Sequence, residues 1–140
     1  MKLASVVKED PNQVYARANG YLAKGCMDLA ENLYFKLLNS RDNGSHLDVE
    51  IQADILHNLG MIAERRQNLD LAIEYYQQAV SVNQNRSMTW LFLAKSYLTR
   101  FEHKGNNKDL KAGFDAIHQA ESDNPNYPVI RFLKQKFAVV

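Results

Sequence analysis

Four histidines and a single cysteine are the side chains best suited to metal binding or nucleophilic chemistry in this chain, and their spacing supports neither. Both activities need several groups held at fixed mutual geometry. His46, His57, His103 and His118 are scattered, without the i, i+4 pairing that places two imidazoles on one helix face in an H-E-x-x-H motif. Cys26 stands alone, so no internal disulfide and no cysteine-based zinc site can be assembled. A lone cysteine on a helix serves as a small hydrophobe, and Cys26 is expected to be half-buried. No nucleophile elbow, Walker-type loop or dinucleotide-binding glycine pattern occurs. Glu64-Arg65-Arg66 and Lys134-Gln135-Lys136 read as solvated helix faces. The expectation is a protein without catalytic residues, metal or cofactor.

Composition narrows the partners. Lys and Arg number 17 against 16 Asp and Glu. That balance lacks the basic excess that nucleic acids and acidic membranes favour, so neither is expected as a partner. The only early apolar run, Leu3 to Val7, is too short for a secretory signal, and nothing later approaches the length of a membrane span. The expected compartment is the cytoplasm. A chain of 140 residues is long enough to bury a real core and is expected to form one domain.

The elements that must position these residues are helices. Apolar residues recur three and four apart, while the alternation that marks strands is never sustained. The fold class is all-α. From Ala53 to Arg86 the order of small and large positions is specific. Leu56, Leu59, Gly60 and Ala63 mark a first helix, Gln67-Asn68 a turn, and Ala72, Tyr76 and Ala79 a second helix. Gly60 and Ala72 are small where the two helices press closest, and Tyr76 fills the space beyond.

In this order the stretch resembles the tetratricopeptide repeat (TPR) family, whose unit has about 34 residues. Ala63 and Gln84 depart from the family's usual aromatic and closing proline. A third unit, 87–125, carries Trp90, Leu93, Ala94 and Tyr97, then Gly113, Ile117 and Ala120, and closes at Pro125. It holds an insertion between its helices at 101–107. A first unit, 11–44, is marked by Val14, Ala18 and Tyr21, then Ala30 and Tyr34, with Arg17 and Leu37 as departures. The first helix of the middle unit is expected to reach back to about 46, capped by Ser45 with Asp48. A final helix, 129–139, should lay Ile130, Leu133 and Phe137 over the exposed end of the array. The resemblance therefore implies a right-handed superhelix of three hairpins with a capping helix.

It also implies a binding surface. In the family, first helices line a concave groove. The corresponding residues here are Tyr15 and Asn19, then His57, Asn58, Met61 and Arg65, then Met88, Leu91, Phe92 and Lys95. His57 is expected as a groove or solvent histidine, and Leu91 and Phe92 as groove residues beside an inward stripe of Trp90, Leu93 and Tyr97. One TPR subgroup clamps the C-terminal carboxylates of Hsp70 and Hsp90 with two lysines, an arginine and two asparagines. Asn19 and Asn58 match its asparagines, but Tyr15, Met88 and Phe92 stand at its cations. Without them a peptide carboxylate loses its charge-assisted bonds. The function implied is a non-catalytic adaptor that holds a partner peptide or helix and assembles a larger complex. The alternative is a chaperone of the bacterial type III secretion kind, whose usual N-terminal helical region is longer than Met1 to Asp10.

Overall fold

Asp10, Asn68 and Asn106 each begin a helix by accepting from a backbone N–H that the helix itself leaves open. The computed structural model describes residues 9–40 and 47–137. Ser45, His46 and the end of the predicted capping helix at Val139 lie outside them. The described residues are all-α, with seven helices and no strand. They fall into two compact units, Met1–Asp48 and Val49–Val140.

In the first unit, α1 spans Pro11–Ala23 and α2 spans Met27–Leu38. The Asp10 carboxylate accepts from the Asn12 N–H at 3.0 Å, and Pro11 occupies a first-turn position where no N–H is needed. Gly25, at φ 81°, turns the chain out of α1, and the Cys26 N–H closes back on the Tyr21 carbonyl at 2.9 Å. Val14 and Ala18 of α1 and Ala30 and Tyr34 of α2 are buried, and the Tyr34 hydroxyl donates to Asn19 Oδ1. Cys26 is exposed, not half-buried as expected. It is the N-cap residue of α2 and lies in the turn, outside the helical stripe that packs.

The second unit runs α3 (Val49–Arg65), α4 (Leu69–Val82), α5 (Ser87–Lys104), α6 (Asn107–Glu121) and α7 (Pro128–Lys136). Helices α3 and α4 form one hairpin and α5 and α6 the next, with α4 packed on α5 and α7 on α5. At the first hairpin turn Gln67 adopts φ 61°, and the Asn68 side chain caps α4 by accepting from the Leu71 N–H. A glycine is required at two close approaches. A β-carbon on Gly60 would sit 2.4 Å from the Tyr76 ring, and one on Gly113 would sit 2.6 Å from Leu98. These are the paired small and large positions that set the hairpin spacing.

Two expected boundaries move. Helix α3 starts at Val49, four residues before Ala53, so its extension within the described residues is one turn. The segment 101–107 is not a loop between helices. Residues 101–104 continue α5, Gly105 ends it at φ 69°, Asn106 caps α6, and Asn107 is already helical. Phe101 remains on the apolar face and meets the Phe137 ring edge-on, which rewards the longer helix with a surface for α7. Ile130, Leu133 and Phe137 are buried beneath α7, while Arg131, Lys134 and Gln135 are exposed.

A bidentate ion pair ties the lengthened hairpin together. Arg100 reaches Asp109 at 2.9 and 2.7 Å and Asp70 at 3.0 Å, joining α5 to the first turns of α6 and α4. Asp109 is 6% exposed. Its hydrogen bond holds the Arg100 guanidinium even further above its ordinary value.

Candidate functional site

Helices α3 and α5 meet through side chains, and the order of those contacts defines a face with two ends. At the N-terminal end, Arg86 pairs with Asp54 at 3.0 Å and reaches Glu50 at 3.8 Å. Asn83 Nδ2 donates to Glu50 at 2.7 Å. Arg86 Nε also donates to Thr89 Oγ1 at 3.3 Å, and that hydroxyl lies 2.9 Å from His57 Nδ1. A neutral imidazole with its proton on Nε2 completes the chain, because the Thr89 hydroxyl then accepts from Arg86 and donates to His57. Burial is the main reason the His57 pKa falls to about 4, with the Arg86 charge adding to it and Asp54 opposing.

The middle of the face is aromatic. The His57 ring lies 4.8 Å from Phe92 and 5.5 Å from Tyr76, and Tyr76 meets Phe92 edge-on at 5.8 Å. Such tilted and edge-on geometries suit ring quadrupoles. Deeper along α3, the Tyr76 hydroxyl donates to Glu64 at 3.2 Å and the Ser96 hydroxyl lies 3.4 Å from the same oxygen. Burial and then the Glu64 charge push the Tyr76 phenol well above its ordinary value. Beyond this point a depression opens, lined by Glu64, Gln67, Lys95, Ser96, Thr99 and His103.

Against this geometry the predicted residues separate into two groups. Met61 and Phe92 are half-buried, Arg65 and Lys95 are exposed, and Met88 is 48% exposed. Asn58 is half-buried and donates to Asp54 Oδ2 at 3.3 Å. These six are at least partly exposed on α3 and α5. His57 and Leu91 are corrections: they are 8% and 4% exposed. His57 lies under Phe92 and supports it, and Leu91 belongs to the core on the opposite edge of the α5 stripe. In the first unit, Tyr15 and Asn19 are half-buried on α1. Trp90 and Tyr97, expected in an inward stripe, are only partly buried, and the Trp90 N–H donates to the Gln84 carbonyl at 2.9 Å.

The sequence does not single out Asp54, Thr89 or Arg86 by type, and it offers Glu64 only within a solvated charge cluster, whereas Glu64 is half-buried and accepts from Tyr76. A signal for two of them exists: Asp54 lies four residues before Asn58, and Thr89 is one residue from the Met88 position. Among the described residues no group of three His, Cys, Asp or Glu side chains could hold a metal ion, and no helix is long and apolar enough to cross a membrane.

Comparison with known proteins places this arrangement. Residues 53–86, which are α3 from Ala53, α4 and the turn after it, match the Tetratricopeptide repeat family. The chain thus carries a tetratricopeptide repeat, and its all-α fold is that of TPR proteins. One similar solved structure is the first TPR of Spaghetti (RPAP3) bound to the HSP90 peptide SRMEEVD, with a TM-score of 0.71 and 15% identity, covering 91% of this chain and 90% of that one. Another is the Yersinia enterocolitica type III secretion chaperone SycD in complex with a peptide of the translocator YopD, with a TM-score of 0.66 and 16% identity, covering 96% and 92%. Identities this low speak for the fold alone. The chain matches none of the curated protein sequences with which it was compared.

Proposed function

We propose that this protein is a non-catalytic, cytoplasmic adaptor that binds a peptide or helix of another protein on its first-helix face and so helps assemble a larger complex. The observation that carries the reading is the α3/α5 face itself. Met61, Met88 and Phe92 offer apolar contact beside the amide of Asn58, on a scaffold stiffened by the His57–Tyr76–Phe92 rings. Methionine adapts to varied apolar partners, and an aromatic on a rigid support makes an anchor of low entropic cost. Tyr15 and Asn19 are the first-helix positions of the first unit that we propose also touch the partner. His57 and Leu91 act below the surface and are not part of the proposed contact set.

Both solved relatives are bound to peptides from other proteins, which supports a protein partner here. A second reading, a chaperone for an exported protein, is favoured by the likeness to the secretion chaperone over nearly its full length. Affinity capture from the source cell separates them: a cytosolic assembly supports the adaptor, and a secreted protein supports the chaperone. The site is tested on the captured partner with Met88→Ala and Asn58→Ala, which should weaken binding while leaving the urea midpoint nearly unchanged. Phe92→Ala should weaken binding most, by about 2 kcal/mol or more. Unaltered binding in all three variants would remove the α3/α5 face from consideration.

A further inference from the structure

Beside the apolar part of the α3/α5 face stand two cations, Lys95 and Arg65, that form no ion pair among the described residues. Arg86, Arg100, Lys111, Lys134 and Lys136 each pair with a carboxylate. Lys95 and Arg65 are exposed and form no ion pair among the described residues. Lys95 lines the depression beyond Phe92, and Arg65 follows Glu64 on α3. The hydroxyls nearest Lys95 are already engaged: Ser96 and Thr99 donate to the carbonyls of Phe92 and Lys95, at 2.9 and 2.8 Å. Glu64 is the one carboxylate in the depression, and its Oε1 accepts from Tyr76. Lys95 and Arg65 outweigh Glu64, so this end of the face carries a net positive charge. At the opposite end, Arg86 is balanced by Asp54 and Glu50.

We infer that the segment bound on this face carries a side-chain carboxylate placed just beyond its apolar anchor. The anchor lies on Met88, Phe92 and Met61, and the carboxylate meets Lys95, with Arg65 adding to the field. The inference rests on the α3/α5 face being the binding face. It differs from recognition of a chain-terminal carboxylate, because the cations concerned are not those that a terminal clamp uses and lie beside the apolar patch rather than within it. Spacing sets the ligand. Phe92 to Lys95 and Met61 to Arg65 are three and four residues apart, hence about 4.5–6 Å along the helix axes. That matches two residues of an extended peptide or one turn of a helix. The partner chemistry is therefore an acidic amphipathic segment.

The test uses three families of synthetic peptides, acetylated and amidated so that no terminal charge remains. Each carries a Phe or Leu anchor followed, two to four residues on, by Glu, Gln or Lys, and fluorescence anisotropy reads binding to the full chain. The Glu peptides should bind about fivefold more tightly than the Gln peptides at low salt, the upper range for an exposed ion pair, and the gap should close as salt is raised. A K95Q/R65Q variant, whose replaced side chains are exposed, should lose the preference and bind Glu and Gln peptides alike. Equal binding of Glu and Gln peptides, a preference that survives in the double variant, or tighter binding of Lys peptides would overturn the inference. Gln peptides that bind wild type but not Phe92→Ala would leave the proposed face standing even then. Failure of every peptide would overturn the inference, and the captured partner's response to Met88→Ala would still judge the face.

Discussion

Adding one methyl group at three glycines should change stability in opposite directions, and the structure says which way each goes. On an open helix surface Gly→Ala stabilises by about 0.5–1 kcal/mol, because alanine has less backbone freedom to lose on folding. Gly20, in α1, has nothing within 4 Å of where a β-carbon would stand, so Gly20→Ala should give that gain. At Gly60 the new carbon would lie 2.4 and 2.6 Å from two atoms of the Tyr76 ring, against a comfortable carbon separation of about 3.5–4 Å. The ring must retreat by roughly 1 Å. It cannot do so freely: Tyr76 is fully buried, flanked by the rings of His57 and Phe92, and tethered by its hydroxyl to Glu64. Overpacking of this kind costs about 1–3 kcal/mol, which exceeds the propensity gain. Gly60→Ala should therefore destabilise by about 1–2 kcal/mol, and Gly60→Leu by more. Gly113→Ala should behave similarly, because its neighbour is the Cγ as well as the tip of buried Leu98. Urea unfolding followed by the helical circular dichroism signal reads all three. Pairing Gly60→Ala with Tyr76→Leu should show a favourable coupling, since the shorter side chain frees the site. If Gly60→Ala stabilised the protein as Gly20→Ala does, the close approach of α3 and α4 described here would be wrong.

Acid should expose the buried imidazole. Above pH 6.5 His57 is neutral folded and unfolded, so its burial costs nothing extra. As the pH falls from 6.5 towards 4, the unfolded chain takes up a proton that the folded ring refuses, and stability drops by about 3 kcal/mol at pH 4. His57→Gln should flatten that part of the stability–pH curve, and an identical slope in both proteins would refute the assignment. At the lengthened hairpin, Asp109→Ala should cost about 1–3 kcal/mol, because it strips a bidentate partner from Arg100 in a buried position. Asp70→Ala, at the solvent-facing side of the same cluster, should change the urea midpoint little, by about 0.5 kcal/mol or less. Finally, the peptide SRMEEVD should bind no better than a scrambled peptide of equal charge. A clear preference for the ordered sequence with its free terminus would overturn the reading of Tyr15, Met88 and Phe92 as replacements for clamp cations.

Helix number, helix faces and the small positions were legible in the sequence because each depends on a residue's angle about its own helix. The three-and-four spacing of Ile130, Leu133 and Phe137 is enough to say which side of α7 packs. That Gly60 and Ala72 are small follows from where a hairpin must close, but that Tyr76 lies against Gly60 and Leu98 against Gly113 came from the packing. What periodicity leaves open is how near the neighbouring helix comes, and that decides residues at the edge of a stripe. Leu91 and His57 occupy such edges. The family resemblance puts both on the groove face, yet the packing of α4 and α5 buries Leu91 and the Phe92 ring covers His57. The contacts that build the face join residues far apart in sequence, Arg86 to Asp54, Thr89 to His57 and Ser96 to Glu64, each across 32 residues. No local pattern encodes those pairs. In the insertion at 101–107, residues 101–104 extend α5, where the partly buried Phe101 meets Phe137, a contact between residues 36 apart in sequence. Sequence determined which residues could turn inward. The distance between helices decided which of them did, and so which side chains were left for a partner.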